Sequence, residues 1–229
     1  MAVRRQPNPH SESVDDYLKA ILALSGPEEG RATSTALADR LGVAAPSVTN
    51  MLQKLAALPT PLVEYERHHG VRLSSAGKRR ALEILRHHRL IETFLYTVLD
   101  YPLEEVHEEA ERLEHFISER FEERVASKLG NPAIDPHGHD IPSMDGKMPA
   151  QTSRPLAEMQ ESGEFIVASI SDNDAKRLKL LTKRGIAPGI HLEVKALPME
   201  DGYSVKVGRS AKIIHLSHDA ACAIRVHLP

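Results

Sequence analysis

The first part of the chain shows a helical pattern of apolar and polar positions. Residues 14–25 (VDDYLKAILALS) place apolar side chains close to every third or fourth position, which predicts an amphipathic helix ending at Gly26. A second helix is expected between the capping residues Thr33 to Thr35 and Gly42. Proline is tolerated in a first helical turn, so Pro46 begins a third helix, whose buried face would comprise Val48, Met51, Leu52 and Leu55. Helix, Leu-Gly-Val turn and helix together predict a helix-turn-helix.

The pattern then changes to a period of two, which is typical of strands. Val63 and Tyr65, and then Val71 and Leu73, alternate with charged residues, and His68-His69-Gly70 lies between the two runs. This arrangement predicts a β-hairpin. A helix-turn-helix followed by a hairpin is a winged helix, and we assign this predicted domain to residues 1–75.

Two long helices are predicted next, from Ala76 to about Leu99 and from Leu103 to about Leu129. The second has a continuous apolar stripe consisting of Val106, Ala110, Leu113, Phe116, Ile117 and Phe121. Residues 130–155 contain five of the fifteen prolines and three of the thirteen glycines, which predicts a linker or irregular loop. Residues 76–150 are therefore interpreted as a helical domain that ends in this loop.

The last part of the chain is rich in short β-type runs separated by turns. These runs are GEFIVASIS, IHLEVKALP, YSVKVG, AKIIHLS and ACAIRVHL, and a polar helix, DNDAKRLKLLTKRG, lies between the first two. The pattern predicts a small five-stranded barrel over residues 151–229. The whole chain is expected to have an α+β fold.

Composition narrows the functional classes. With 41% hydrophobic and 27% charged residues, and no run of eighteen apolar residues, the chain is predicted to be neither exported nor membrane-spanning, and hence cytoplasmic. The single cysteine, Cys222, agrees with a reducing compartment and is expected to be buried. Lys plus Arg against Asp plus Glu count 8 to 8 in residues 1–75, 9 to 12 in 76–129 and 12 to 12 in 130–229. The excess acid is therefore confined to the middle segment.

That middle segment carries candidate metal ligands at helical spacing. In VHEEAERLEH, Glu111, Glu114 and His115 stand at i, i+3 and i+4, and His107 lies one turn earlier. His88 and the glutamate four residues later, Glu92, repeat the spacing on the preceding helix. Carboxylate oxygens and imidazole nitrogens on two facing helices predict a divalent-metal site.

Two simpler readings of the segment remain open. Glutamate-rich helix faces are often only solvated, and repulsion between Glu111 and Glu114 could be offset by Arg112 instead of a cation. The spacing does not match zinc-protease, inverted zinc or di-iron patterns, because the histidines these require are absent. The pattern therefore favours metal binding over catalysis.

Several motifs in order resemble one family across essentially the whole chain. VDDYLKAI, VAAPSVTNMLQKL, the hairpin, RHHRLIETFL, VHEEAERLEH and DPHGHDIP are similar to the diphtheria toxin repressor family of metal-dependent transcriptional regulators. The resemblance implies a winged helix, a helical dimerisation and metal-binding domain, and an SH3-like barrel. It also implies a homodimer that binds an operator in double-stranded DNA, with no membrane and no small-molecule substrate as partner.

The resemblance also assigns ligands to two metal sites. A primary site would use Asp16, His88, Glu111, Glu114 and His115. An ancillary site would use Glu92 and His107, with further ligands from Asp135 and His137 in some relatives or from the barrel in others, where Asp172 and Asp174 are the candidates. Relatives that carry a glutamine on the barrel helix differ from this chain, which has Arg177 there.

Ligand type indicates the metal. Iron-responsive members of the family carry methionine and cysteine where this chain has Asp16 and Glu111, and manganese-responsive members carry carboxylates at both. Hard oxygen ligands suit Mn²⁺ better than thiolate sites do. We therefore predict a manganese sensor with Fe²⁺ as a second ligand.

Candidate DNA contacts lie on and beside the outer face of the third helix. Ser, Thr, Asn and Gln side chains meet base edges or phosphates, and basic side chains neutralise phosphates. The candidates are Pro46, Ser47, Thr49, Asn50, Gln53 and Lys54, with Arg67 or Arg72 from the hairpin.

Two other functional classes are alternatives to a metal-dependent regulator. The first is a metal-dependent hydrolase or oxygenase built on the two acidic helices, although the sequence offers no nucleophile for it. The second is a metal-independent DNA-binding adaptor whose acidic helix binds a basic protein.

Overall fold

The computed structural model of the protein describes residues 11–26, 30–159, 162–197, 202–208 and 213–229. The chain divides into two compact units. The first unit comprises Met1–His87, Glu114–Ile117 and Pro142–Met148, and the second comprises His88–Leu113, Ser118–Ile141 and Pro149–Pro229. The sequence predicted three domains, over residues 1–75, 76–150 and 151–229. The division into two units does not test these bounds, which stay a prediction. None of the helices in the described ranges is long and apolar enough to cross a membrane.

The first unit contains the predicted helix-turn-helix. Its helices are α1 (Glu12–Ser25), α2 (Ser34–Leu41) and α3 (Ala45–Ala56). The Thr33 hydroxyl accepts a hydrogen bond from the Ala36 amide at 3.1 Å, so it satisfies a free donor at the start of α2. The three helices share a core that includes the fully buried side chains Val14, Leu18, Ile21, Leu37, Val48, Leu52 and Leu55.

The predicted wing follows directly. Strands β1 (Val63–Glu66) and β2 (Gly70–Leu73) pair antiparallel, with Val63 opposite Leu73 and Tyr65 opposite Val71. Val63 and Val71 are buried in the same core as the helices. The winged helix predicted from the sequence is therefore confirmed.

The long helix α4 (Ser75–Val98) also matches its prediction, but the helix expected from Leu103 to Leu129 does not. The chain instead forms α5 (Val106–Leu113) and α6 (Glu119–Lys128), separated by a turn. Ser118 is extended, and its hydroxyl accepts a hydrogen bond from the Phe121 amide, so it caps a new helix. The prediction of a single helix was wrong. The apolar residues keep a helical spacing across the turn between α5 and α6, so their pattern did not reveal the new helix start that Ser118 caps.

The apolar stripe predicted for that helix is only partly buried. Val106 and Ala110 are fully buried, whereas Leu113, Phe116 and Phe121 are 39%, 72% and 47% exposed. A stripe of this kind leaves large apolar side chains for contact with another surface.

The carboxyl-terminal part of the second unit contains the strands β3 (Arg154–Pro155), β4 (Gly163–Ile170), β5 (His191–Leu197), β6 (Gly202–Val207), β7 (Ile213–Ser217) and β8 (Ile224–His227). They form an antiparallel sheet in the order β3-β8-β4-β5-β6-β7. The five predicted strands are present, and the two-residue β3 adds a sixth. The predicted polar helix is α7 (Ala175–Lys183). The α+β fold class is confirmed.

One predicted strand begins later than expected. The run ACAIRVHL starts within α8 (His218–Cys222), and only Ile224–His227 forms a strand. Cys222 is exposed on this helix, which corrects the expectation that it is buried. Other side chains of this region form the buried core of the sheet, including Leu156, Ile170, Leu178, Leu181, Val205, Leu216 and Ile224.

Candidate metal centres and nucleic-acid interface

The first unit brings together three of the predicted primary ligands. One donor atom each of Asp16, Glu114 and His115 lies within 4.8 Å of the other two. His115 Nε2 is 3.2 Å from Asp16 Oδ1 and 3.4 Å from Glu114 Oε1. Asp16 is on α1, and the other two residues lie in the turn after α5. We call these three side chains the first cluster.

A buried ion pair supports this cluster from behind. Asp15 is buried, and its two carboxylate oxygens accept hydrogen bonds from Arg80 Nε and Nη2, both at 2.9 Å. Its Oδ2 is also 3.5 Å from His115 Nδ1. Burial raises the pKa of Asp15, but His115 and Arg80 outweigh it and lower the pKa below its usual value. Asp15 therefore stays charged and orients the His115 ring.

A lysine is also present at the first cluster. Lys19 Nζ donates to both carboxylate oxygens of Glu114, at 2.7 Å and 2.9 Å. Glu114 is fully buried and Lys19 is mostly so. Because a buried carboxylate is costly without a counter-charge, the Lys19 ammonium stabilises the Glu114 carboxylate.

The second unit holds a larger group, which we call the second cluster: His88, Glu92, His107 and Asp172. Glu92 is fully buried, and its Oε1 lies 3.0 Å from His88 Nε2 and 3.3 Å from His107 Nδ1. His107 Nδ1 is also 3.5 Å from Asp172 Oδ2. Three elements supply these side chains: α4, α5 and the segment before α7.

Carboxylates control the charge of the second cluster. Burial lowers the pKa of His107, but Asp172 and Glu92 outweigh it and raise the pKa to about 10. Burial raises the pKa of Asp172, whereas His107 and His139 lower it more, so that the net pKa falls. For Glu92, burial is likewise outweighed by His88, His107 and His137, and its pKa is well below the usual value.

Beside it is a third group, Asp135, His137 and His139, which we call the loop cluster. Asp135 Oδ1 accepts hydrogen bonds from the backbone amides of His137 at 2.8 Å and His139 at 2.9 Å. His137 is fully buried, and its Nε2 lies 3.2 Å from the Leu103 carbonyl oxygen. Nε2 can donate a hydrogen bond to that oxygen only when it carries a proton. In a neutral ring the lone pair is then on Nδ1.

These groups fit a divalent cation. Among the described residues, three buried polar atoms at the second cluster and the loop cluster have no hydrogen-bond partner: Glu92 Oε2, Asp135 Oδ2 and His137 Nδ1. Asp135 Oδ2 is 3.7 Å from Arg89 Nε, which is an ion-pair distance but too long for a hydrogen bond. Buried donors and acceptors are normally satisfied, so unpaired carboxylate oxygens beside imidazole nitrogens indicate a ligand set for a metal.

The other predicted ligands have different outcomes. His88 and Glu111 belong to the second unit, where His88 Nδ1 is 3.8 Å from Glu111 Oε1. Their grouping with Asp16, Glu114 and His115 in one primary site stays a prediction. Asp174 is in none of the clusters formed by the described residues, and its Oδ1 caps α7 by accepting hydrogen bonds from the Lys176 and Arg177 amides. Its role as a ligand stays a prediction that this cap does not support.

Sequence reasoning missed Asp15, Lys19 and His139. His139 is part of the quoted motif DPHGHDIP, two residues after His137, and that spacing was the available signal. Asp15 and Lys19 flank Asp16 on α1, but their partners Arg80 and Glu114 are far away in sequence. No local pattern reports such pairs.

The candidate DNA-binding surface is formed by α3 and the hairpin. Side chains of Pro46, Ser47, Asn50 and Gln53 are exposed, and Thr49 and Lys54 are half-buried. Arg72 is held by Glu64 of the paired strand, with Arg72 Nη2 2.6 Å from Glu64 Oε2. Arg67 lies exposed in the hairpin turn and forms no ion pair within the described ranges. Of the two hairpin residues, Arg67 is therefore the better candidate for a phosphate contact.

Comparison with known proteins places this architecture in a class of DNA-binding regulators. Residues 10–71 match the family described as iron dependent repressor, N-terminal DNA binding domain, and residues 74–143 match its metal binding and dimerisation domain. Residues 154–228 match the FeoA domain.

Individual proteins are similar over nearly the whole chain. The iron-dependent repressor IdeR of Mycobacterium tuberculosis (strain ATCC 25618 / H37Rv) is 28% identical over 228 residues, which cover 94% of this chain and 96% of that protein. The structure titled "Manganese-dependent transcriptional repressor complex with manganese" is 37% identical, with a TM-score of 0.84, and the match covers 93% of this chain and 98% of the other. The structure titled "Structure of the manganese regulator SloR" is 30% identical, with a TM-score of 0.77, covering 94% and 98%.

The chain belongs to the iron-dependent, or diphtheria toxin, repressor family. It is a metal-dependent DNA-binding transcriptional repressor with a dimerisation domain. The family consists of transcriptional repressors and not of enzymes, so the hydrolase or oxygenase alternative is set aside. The metal-independent adaptor is set aside for the same reason.

Proposed function

We propose that this protein is a manganese-responsive repressor that binds an operator in double-stranded DNA as a homodimer. The observation that carries the proposal is the first cluster, in which carboxylates from Asp16 and Glu114 face His115 in the same unit as the winged helix. A ligand set rich in carboxylate and lacking thiolate favours a hard cation. Two proteins of similar structure, a manganese-dependent transcriptional repressor and the manganese regulator SloR, support the same metal.

Metal would act on the position of α1 in this proposal. A bound divalent cation supplies the positive charge that holds the two carboxylates and the imidazole of the first cluster together. Asp16 lies on α1, whose other face is buried in the winged-helix core, so anchoring Asp16 anchors the DNA-binding helices with it. A ligand that binds one arrangement more tightly shifts the population toward it.

Iron is the second candidate metal. The curated relative from Mycobacterium tuberculosis is named an iron-dependent repressor, and Fe²⁺ has a somewhat higher intrinsic affinity than Mn²⁺ for nitrogen and oxygen sites. Against iron as the main signal stand Asp16 and Glu111, which occupy positions where the iron-responsive pattern has softer ligands.

A gel shift on the DNA upstream of the protein's own gene tests this function. The protein is incubated with a chelator, with Mn²⁺, with Fe²⁺ under anaerobic conditions and with Zn²⁺. We expect a retarded band with Mn²⁺, a weaker response to Fe²⁺ and none with chelator. Equal binding with chelator and with Mn²⁺ would refute a metal-dependent repressor, and a response to Fe²⁺ alone would refute manganese sensing.

The DNA surface is tested in the same assay. Asn50→Ala removes an exposed amide from α3 and is expected to weaken operator binding by about tenfold, as loss of one base contact does. The matched control is Asn173→Ala, an exposed asparagine of the second unit. Both variants should bind as much Mn²⁺ as the wild type, because neither belongs to a metal cluster. The prediction of a cytoplasmic protein follows from DNA as its partner and is part of this proposal.

A further inference from the structure

The turn of the wing carries exposed side chains that are basic or can become so. It consists of Arg67, His68 and His69, between β1 and β2, and all three residues are exposed. The His69 amide donates to the Glu66 carbonyl oxygen at 3.1 Å, which closes the turn. His68 has φ +69°, a left-handed conformation that favours glycine. Neither the turn nor burial therefore requires two imidazoles at this place.

The acidic side chains of the hairpin are already engaged by arginines. Glu64 Oε2 accepts a hydrogen bond from Arg72 Nε at 2.7 Å. Glu66 Oε2 is 3.7 Å from Arg31 Nη2, and Arg31 Nη1 also donates to the Gly70 carbonyl oxygen at 3.1 Å. These contacts leave no carboxylate devoted to the two histidines.

The charged surroundings of the two imidazoles are correspondingly sparse. His69 Nε2 is 3.8 Å from Glu66 Oε1, and because both side chains are more than half exposed, water screens this pair. His68 forms no ion pair with any described residue. The helices behind the hairpin contact it through the apolar core that includes Val63 and Val71, and no described charged side chain of α1 or α3 lies within ion-pair distance of either ring. The wing can therefore present both imidazoles to an external anion.

Protonation of these rings would change the charge of the wing substantially. The hairpin and Arg31 together contain three arginines and two glutamates, so their net charge is +1 with neutral imidazoles and +3 with both protonated. Imidazole is the side chain whose charge ordinarily changes between about pH 5 and 8. A protonated ring donates from both nitrogens, and a nearby phosphate favours that charged form.

From this placement we infer that His68 and His69 are phosphate contacts whose strength depends on pH, so that the metal-loaded repressor binds its operator more tightly as pH falls. Each ring that becomes charged neutralises a phosphate beside Arg67 and releases a counterion from the DNA. Operator binding therefore takes up protons at the wing. The inference rests on the proposed function, since it adds a pH-dependent part to the same DNA-binding surface.

The effect has the opposite sign to the effect of pH on metal binding. Histidine ligands must lose their protons before they coordinate a metal, so metal affinity falls as pH falls. The wing histidines gain their charge over the same change and strengthen the contact with DNA. Mild acidification would thus weaken operator binding less than the loss of metal affinity alone would do.

The test measures operator affinity with the full-length protein and metal held saturating. Fluorescence anisotropy is recorded on a labelled duplex of the upstream DNA that shifts in the gel assay, at pH 6.0 and pH 8.0 and over a series of salt concentrations. Mn²⁺ is kept at a level where a further tenfold increase leaves the affinity unchanged. The difference between the two pH values then reports groups other than the metal ligands.

Two variants change the charge of the wing, and a third is the control. His68→Asn/His69→Gln removes both imidazoles, and asparagine tolerates the left-handed backbone at the first position. His69→Arg supplies a positive charge that does not depend on pH. His191→Gln/His215→Gln replaces two exposed histidines of the sheet and is the matched control.

We expect the wild type and the control to bind the duplex about fivefold more tightly at pH 6.0 than at pH 8.0. Their plots of log affinity against log salt should also be steeper at pH 6.0, by up to about 1.8, because each added charge contributes about 0.9. His68→Asn/His69→Gln should lose both changes. His69→Arg should bind more tightly than the wild type at pH 8.0 and keep about half of the pH dependence on a logarithmic scale.

Three results would overturn the inference: an affinity of the wild type that is the same at both pH values, the same pH dependence in the wild type and His68→Asn/His69→Gln, and an equal loss of affinity by that variant at both pH values. In each case Mn²⁺-dependent operator binding leaves the proposed function standing. If the double variant does not fold, His69→Gln alone should lose about half of the pH dependence, and an unchanged dependence would be equally decisive. A wild type that binds the duplex at neither pH with Mn²⁺ contradicts the proposed function, and the inference falls with it.

Discussion

At the scale of single residues, the first cluster contains its own competing cation. Lys19 Nζ contacts both oxygens of Glu114, at 2.7 Å and 2.9 Å, and a metal ion that binds Glu114 has to share or displace that contact. The ammonium therefore stabilises the metal-free protein and lowers the affinity of the first cluster for metal. Such a residue would set the concentration at which the repressor responds.

Replacing this lysine is expected to tighten metal binding. In Lys19→Gln the buried Glu114 carboxylate loses a counter-charge, and a divalent cation can supply the missing charge. We expect the affinity for Mn²⁺, measured by calorimetry, to rise about tenfold, or about 1.4 kcal/mol. The metal-free variant should also unfold at a lower denaturant concentration. Lys128→Gln, exposed at the end of α6, is the control. Equal or weaker Mn²⁺ binding by Lys19→Gln would show that the lysine does not compete.

Protonated histidines impose a second requirement on metal binding. His115 in the first cluster and His107 in the second cluster both have a pKa raised to about 10, because their neighbouring carboxylates outweigh the effect of burial. Near neutral pH both rings are therefore cationic without metal. A ring nitrogen must lose its proton before it coordinates a metal.

Binding of Mn²⁺ should consequently release protons. At pH 7.5 we expect about two protons per subunit from these two rings, and an apparent affinity that falls as pH is lowered, since protons then compete more strongly. Calorimetry in two buffers with different heats of protonation measures the number released. His107→Gln should release about one proton fewer than the wild type. A binding heat that is the same in both buffers would contradict the prediction.

At the scale of secondary-structure elements, the sequence predicted whether a segment is a helix or a strand better than it predicted where the segment begins and ends. The winged helix, α4 and the strands of the sheet followed from apolar periodicity, because one face of each is buried. The break between α5 and α6 did not, because the apolar pattern of Leu113, Phe116 and Phe121 continues through it while all three side chains are exposed. Apolar periodicity therefore predicts burial correctly only for faces that pack against other parts of the same chain.

The loop over residues 130–155 was also only partly predictable. Its prolines and glycines indicated irregular structure, but not that Ala133 to Ile141 folds back on itself. The Ile141 amide donates to the Ala133 carbonyl oxygen at 2.8 Å, and Asp135 bonds the amides of its own turn. Asp-Pro-His-Gly is good turn chemistry with or without metal, so the sequence alone could not tell which role it has.

Gly138 offers a test of this element that leaves every ligand in place. Gly138→Ala puts a methyl group where the Ala168 carbonyl oxygen lies and demands a positive φ that alanine resists. The loop should move away from β4, and binding of Mn²⁺ at the loop cluster should weaken by at least tenfold. Gly146→Ala, which also has a positive φ but meets no atom within 4 Å, is the control. Equal effects of the two changes on Mn²⁺ binding would show that close packing against β4 does not position the loop.

At the scale of the whole molecule, candidate ligands come from parts of the chain that are far apart in sequence. Spacing within α4 and α5 predicted His88, Glu92 and His107, because residues four apart share a helix face. Asp172, the support of Asp15 by Arg80 and the contact of Lys19 with Glu114 depend on tertiary packing. A helical period therefore predicts which side chains share a face, whereas only the fold determines which faces meet.

Dimerisation is also a property of the whole molecule. The second unit exposes large apolar side chains in the segment matched by the metal binding and dimerisation domain: Tyr96, Val98, Leu99, Leu113 and Phe121, each between 39% and 50% exposed. Exposed apolar side chains in this number favour contact with another protein surface. A two-fold dimer would also present two recognition helices to operator half-sites about 34 Å apart.

Charged substitutions within this segment should therefore separate the subunits. We expect the wild type to sediment as a dimer at micromolar concentration and Leu99→Glu/Phe121→Glu to sediment as a monomer, because a buried, unpaired carboxylate destabilises an interface by several kcal/mol. Operator affinity should fall with it, since a monomer contacts only one half-site, while Mn²⁺ binding at the first cluster should persist. The control is Ile213→Glu on β7, which is 65% exposed and lies outside the segment. A monomeric wild type, or a double variant that remains dimeric and binds the operator normally, would exclude dimerisation through these side chains.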